Sequence, residues 1–158
     1  MYPETEIKKY LDLKKVPYSH HSHRLAYTAR EVAAAEHVSG MMVAKTVVLK
    51  TGGDYAMAVV PASTKVDLKT LKWELGVKEL RLATEREFQG LFPDSEVGAM
   101  PPFGNLYGLP VYVDESLTRD REIVFNAGTH QDTIEMKYED FSRLVDPKVF
   151  SFALNDAA

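Results

Sequence analysis

Fourteen residues, Phe92 to Asn105, hold three of the chain's eight prolines together with Gly98 and Gly104. No fold for this chain can absorb that stretch into a helix or a strand. Each proline fixes its own φ and biases the residue before it toward extended backbone, while glycine reaches conformations closed to other residues. Met100 and Phe103 lie inside the segment, and apolar content of this kind argues against a disordered connector. The segment therefore reads as a shaped loop that shows backbone groups to something.

The elements around it predict a mixed α/β domain. Glu4 to Lys15 has mostly helical apolar spacing, with acid early and lysine late, and Pro17 stops it. Tyr18 to His23 is a short strand candidate. Thr28-Ala29-Arg30-Glu31 is a capping box for an alanine-rich helix to about His37, ended by Ser39-Gly40. Met42 to Leu49 and Asp54 to Val60 are apolar runs joined by Thr51-Gly52-Gly53, a hairpin signal, and Pro61 closes the second. Asp67 caps a helix that ends at Gly76, Leu80 to Ala83 is a short strand, and Thr84-Glu85-Arg86-Glu87 opens a short helix. Beyond the loop, strands are expected at Leu109 to Val113, Ile123 to Asn126 and Thr133 to Lys137, then a helix over Tyr138 to Val145 and a loosely packed tail after Pro147. The expectation is one domain over 1–158: a mixed, mostly antiparallel sheet or partly closed barrel of about six or seven strands, with surrounding helices.

Composition removes several function classes. The net charge of −4 argues against broad, non-specific nucleic-acid binding, which needs many phosphate-neutralising cations, but leaves room for a local basic patch. There is no cysteine, so no disulfide framework, thiolate nucleophile or cysteine zinc site. The N-terminus lacks the basic and apolar regions of a signal peptide, and no stretch approaches the roughly 20 apolar residues of a membrane span. A cytoplasmic protein with no membrane association is expected.

Lys45 is the most informative single residue. Strand alternation places it on one face with Val43, Val47 and Leu49, where an ammonium must reach water at a strand end, find a partner, or point into a pocket. His20, His21 and His23 invite a metal reading. A strand sends His20 to one side and the other two to the opposite side, and no HExxH or comparable carboxylate spacing supports them. A polar strand end is the simpler reading. His130 follows a strand and a glycine, a common place for site residues, though an ordinary loop histidine fits equally well. No Gly-x-Ser-x-Gly elbow, Walker loop or Rossmann fingerprint is present. A shaped loop, a lysine and a histidine without a nucleophile suit a site where water attacks and the protein supplies position and hydrogen-bond donors.

Three segments carry a resemblance: Val43-Ala44-Lys45-Thr46-Val47-Val48-Leu49, then Gly98-Ala99-Met100-Pro101-Pro102-Phe103-Gly104, then Phe125-Asn126-Ala127-Gly128. In this order they resemble the signature of the YbaK and prolyl-tRNA synthetase-associated domain family, over nearly the whole chain. The resemblance implies hydrolysis of misacylated tRNA, cleaving the ester between a wrong amino acid and the terminal adenosine. It implies that Gly98 to Pro102, a Gly-x-x-x-Pro loop, holds the aminoacyl group. Lys45 would contact the terminal phosphate or the substrate carbonyl. Catalysis would use water and the substrate's own ribose hydroxyl, with no metal and no cofactor. Lys45, Gly98 and His130 are thus the expected catalytic set, with Thr46, Ala99, Met100, Pro101, Pro102, Phe103, Gly104 and Gly128 contacting substrate. The expected partner is the acceptor end of a misacylated tRNA, with an aminoacyl-tRNA synthetase as a further candidate. Against this stand a non-catalytic module of the same fold that binds an aminoacyl group, a nucleotide or a synthetase, and a histidine metallohydrolase.

Overall fold

The expected hairpin is the spine of the protein. The computed structural model describes residues 6–22 and 42–155. His23, the Thr28 capping box and the helix to His37 lie outside the described residues.

Strand β2 (Ala44–Thr51) pairs antiparallel with β3 (Asp54–Pro61) along its full length, from Ala44 opposite Pro61 to Thr51 opposite Asp54. Gly52 makes the turn possible with φ +62, in the left-handed region that side chains disfavour. Around this pair a five-stranded sheet forms in the order β5-β2-β3-β6-β9, with β5 at Arg81–Leu82, β6 at Val111–Asp114 and β9 at Lys148–Phe150. The β3–β6 and β6–β9 pairings are parallel, the other two antiparallel. A second sheet runs β1-β8-β7, all antiparallel, from Ser19–Ser22, Asp132–Lys137 and Glu122–Asn126. β10 (Ala153–Asn155) pairs with β4 (Thr64–Val66). The two larger sheets meet where Val43 bridges Val124 in parallel and the Val124 amide donates to the Met42 carbonyl. Mixed α/β architecture is as expected, built from separate sheets rather than a closed barrel among the described residues.

The described helices are α1 (Glu6–Leu13), α2 (Leu68–Leu75), α3 (Glu85–Phe88) and α4 (Tyr138–Val145). Asp67 caps α2 by accepting the Thr70 amide, and left-handed Gly76 ends it. Thr84 and Glu87 form the complete reciprocal capping box at α3.

Alternation along β2 and β3 divides the interior. Ala44 and Val48, with Met57 and Val59, face the larger cluster that contains Met100, Phe103, Phe125 and Phe141. Leu49, Ala56, Ala58 and Val60 face a smaller cluster closed by Leu71 of α2 and by Phe152. Phe103 centres the larger cluster, its ring edge-on to Phe141 at 5.3 Å and tilted to Phe125 at 5.5 Å.

The tail after Pro147 differs from the loosely packed segment expected. It forms β9 and β10, and Phe152 is fully buried between them. The Asp114 carboxylate anchors it by accepting both the Phe152 and Ala153 amides at 2.8 Å. Burial alone would raise the Asp114 pKa, but the hydroxyl of Ser116 and these amides outweigh it and hold the carboxyl below its ordinary value.

Candidate functional site

The 92–105 loop is pinned rather than free. Gly98 has φ +87 and is exposed, while Ala99 and Met100 on its C-terminal side are buried. The pins come from the turn after β7. The Gly128 amide donates to the Ala99 carbonyl at 2.9 Å, and the Gly128 carbonyl accepts the Glu96 amide at 2.7 Å. One glycine thus grips the loop from both sides of Gly98. Gly128 itself sits at φ +100, a second position where only glycine is unstrained.

His130 adds a third pin. Its imidazole Nε2 lies 2.8 Å from the Val97 carbonyl oxygen, and its backbone amide donates to the Glu96 carboxylate at 3.2 Å. A carbonyl only accepts, so Nε2 is the protonated nitrogen. The ring is buried and in van der Waals range of Gly98: a Cβ there would meet His130 Cε1 at 3.4 Å. Sequence reasoning paired Gly98 and His130 only by family resemblance; the structure packs them together.

Behind His130, Asp132 organises its turn. This buried carboxylate accepts from Thr129 Oγ1 at 2.5 Å and from His20 Nε2 at 2.7 Å. The Asp132 carbonyl also accepts the Ala127 amide. His20 on β1 therefore serves as a hydrogen-bond donor to β8. Among the described residues no group of three or more metal-ligating side chains occurs. Asp132 and Glu96 were missed from sequence. The one available signal was the Thr129-x-x-Asp132 spacing, a side-chain turn motif.

Lys45 is half-buried near the start of β2, and its ammonium donates to the Thr64 carbonyl at 2.5 Å. Its strand neighbours Val47 and Leu49 face the smaller cluster, as alternation predicts. Because Val43 and Val124 run in parallel, Lys45 and Asn126 lie two residues further on in the same direction, toward the Gly128 turn. The hydrogen bonds thus unite Gly98, Ala99, Gly128 and His130, while Lys45 is tied to Thr64 on the face of the smaller cluster.

The remaining expected residues serve the frame. Thr46 shares the face of Ala44 and Val48 and is half-buried. Met100 packs into the larger cluster, and its thioether sulfur accepts the Gly98 amide at 3.2 Å. Pro101, Pro102 and Phe103 are buried. Gly104 has a packing reason to be glycine: a Cβ would stand 2.6 Å from Val111 Cγ2 and 2.7 Å from the Leu109 carbonyl oxygen.

Residues 23–144 match the family model described as the aminoacyl-tRNA editing domain. The chain belongs to that family. A prolyl-tRNA editing protein ProX from Acetoanaerobium sticklandii is 26% identical over 141 residues, covering 85% of each chain. The multifunctional Ser/Thr-tRNA deacylase ProXp-y of Escherichia coli K12 is 31% identical over 114 residues, 69% of this chain and 68% of the relative. Two solved structures share the fold. The hypothetical protein APE2540 superposes with a TM-score of 0.85 at 19% identity, covering 94% of this chain and 99% of that one. A protein described as a candidate trans-editing enzyme for prolyl tRNA synthetase gives 0.80 at 22% identity, covering 94% of both.

Proposed function

We propose that this editing-domain protein is a trans-editing hydrolase that removes the amino acid from misacylated tRNA. Membership of the family over 23–144 is the observation that carries this reading, and the relatives named as an editing protein and a tRNA deacylase agree with it. Water attacks the ester carbonyl carbon at the terminal adenosine. The carbon–oxygen bond to the ribose then breaks, giving the free amino acid, a restored ribose hydroxyl and one released proton.

In this reading the Gly98–Pro102 loop positions the aminoacyl group with its backbone, since Gly98 alone among residues 98–102 is exposed. His130 holds that backbone through Val97, and Lys45 meets the terminal phosphate or the ester carbonyl. Fixed donors of this kind suit a reaction in which charge develops on a carbonyl oxygen. In this reading the protein works on charged tRNA in the cytoplasm, with an aminoacyl-tRNA synthetase as its partner.

A deacylation screen over Ala-, Ser-, Cys- and Thr-charged tRNAs tests the proposal. Release of at least one amino acid above the spontaneous rate is expected. Tight binding with hydrolysis of none would identify a non-catalytic module instead.

A further inference from the structure

We propose that the outer face of α2 and the segment after it form an RNA-binding strip that grips the acceptor arm of tRNA away from the ester site. Trp73 is the chain's single tryptophan, and it is 84% exposed on a helix whose opposite side buries Leu71. An indole left in water is a poor use of the largest apolar side chain unless something covers it. It borders a groove of 630 Å³ with Lys69, Lys72, Gly76 and Val77, and Lys72 also lines an adjoining groove of 510 Å³ with Lys78 and Arg81.

Charge decides which occupant fits. Lys69, Lys72 and Lys78 make no salt bridge with any described residue, although the chain as a whole is acidic. By contrast Lys50 and Arg81, on the rim of the second groove, are both held by Glu87 at 3.0 and 2.7 Å. Glu74 on α2, Glu79 in the second groove and the capping Asp67, whose carboxylate feels the Lys69 charge without forming an ion pair, are the acids nearby. Two lysines beside an exposed aromatic ring, Lys69 and Lys72, with Lys78 in the adjoining groove, match phosphate neutralisation combined with stacking on a nucleoside. An acidic protein surface would satisfy the lysines but would give the indole no flat partner.

Reach is also suitable. The second groove begins at Lys50, five residues along β2 from Lys45, which is about 16 Å at a strand's rise per residue. That separation suits phosphates several nucleotides from the terminal adenosine. The inference rests on the editing reading for its choice of RNA, so its test must stand apart from hydrolysis.

Trp73 provides that test, because intrinsic tryptophan fluorescence reports on this strip alone. Titration of the wild-type chain with uncharged tRNA should quench the emission, and added salt should reverse the effect. The double variant Lys69→Glu/Lys72→Glu should bind more weakly, with a log–log salt slope smaller by about 2. In deacylation the same variant should raise KM for charged tRNA by about tenfold, with kcat kept and with an aminoacylated CCA trinucleotide hydrolysed as by wild type. Unquenched emission with tRNA, or equal losses on tRNA and trinucleotide, would overturn the strip. Quenching by a synthetase but not by tRNA would overturn it too, by making this a protein-docking face. Quenching without any deacylation would leave the strip standing and remove the hydrolase reading.

Discussion

His130 Nε2 donates to the carbonyl oxygen of Val97 across 2.8 Å of space and 33 residues of chain. That bond fixes the entry to Gly98. Its removal in His130→Ala deletes a part-buried hydrogen bond to an exposed residue, at a cost of about 0.5–1.5 kcal/mol. The loop should then lose its single geometry, so we expect kcat for deacylation to fall further than substrate binding weakens. His130→Gln, which can still donate to Val97, should recover part of the loss. Equal activity in all three proteins, measured on one charged tRNA, would exclude His130 from positioning the loop.

Gly98→Ala isolates backbone geometry from side-chain chemistry. The new methyl would meet His130 Cε1 at 3.4 Å, an ordinary contact, so the cost arises from φ +87. A left-handed alanine costs about 1–2 kcal/mol, and thermal unfolding should show a loss of that size. If the loop instead relaxes to avoid the strain, stability is kept and activity drops.

Lys45→Ala should abolish release of amino acid while leaving the far-ultraviolet circular dichroism unchanged. Lys45→Arg is not a neutral control, because a planar guanidinium cannot reproduce a compact ammonium aimed at the Thr64 carbonyl. Undiminished turnover in the alanine variant would remove Lys45 from the mechanism.

Met100→Ala has two separable effects. The residue is buried in the larger cluster, so truncation should destabilise the fold by about 2–5 kcal/mol. It also deletes the sulfur that accepts the Gly98 amide, which frees the loop to admit other side chains. The profile of amino acids removed should therefore broaden more than the rate on the best substrate changes, read by the same tRNA panel.

Asp114 links the C-terminal segment to pH. Its folded pKa lies below the ordinary aspartate value, so its contribution to stability is present in full above that value. The contribution is lost as pH falls through the folded pKa. Asp114→Asn should lower the Tm at pH 7, and its deficit relative to wild type should shrink on acidification below about 4. A deficit independent of pH would mean that the carboxylate charge does not anchor Phe152.

What was legible in the sequence followed the range of the interactions. Asp67 and Thr84 were readable as caps because a cap needs only residues within one turn. The β2–β3 hairpin was readable because a two-residue turn fixes its register. The three-residue strands β4, β9 and β10 carry no pattern of their own, and each exists only through a distant partner. Phe152 therefore read as part of a loose tail, since nothing near it foretells the Asp114 carboxylate 38 positions earlier. In the site, the glycines and His130 were visible as residue types. The hydrogen bonds that join residues 96–99 to 128–130 were not, because they depend on how two sheets meet at Val43 and Val124.

Both Gly128 bonds to the loop run from main chain to main chain, through the Glu96 amide and the Ala99 carbonyl. These two bonds make no demand on the side chains at 96 and 99, unlike the pin that His130 supplies through its ring. Substitutions at the exposed Val97, between the two bonded positions, would leave both bonds in place. The main-chain grip on the loop can thus be inherited intact while exposed positions around it vary.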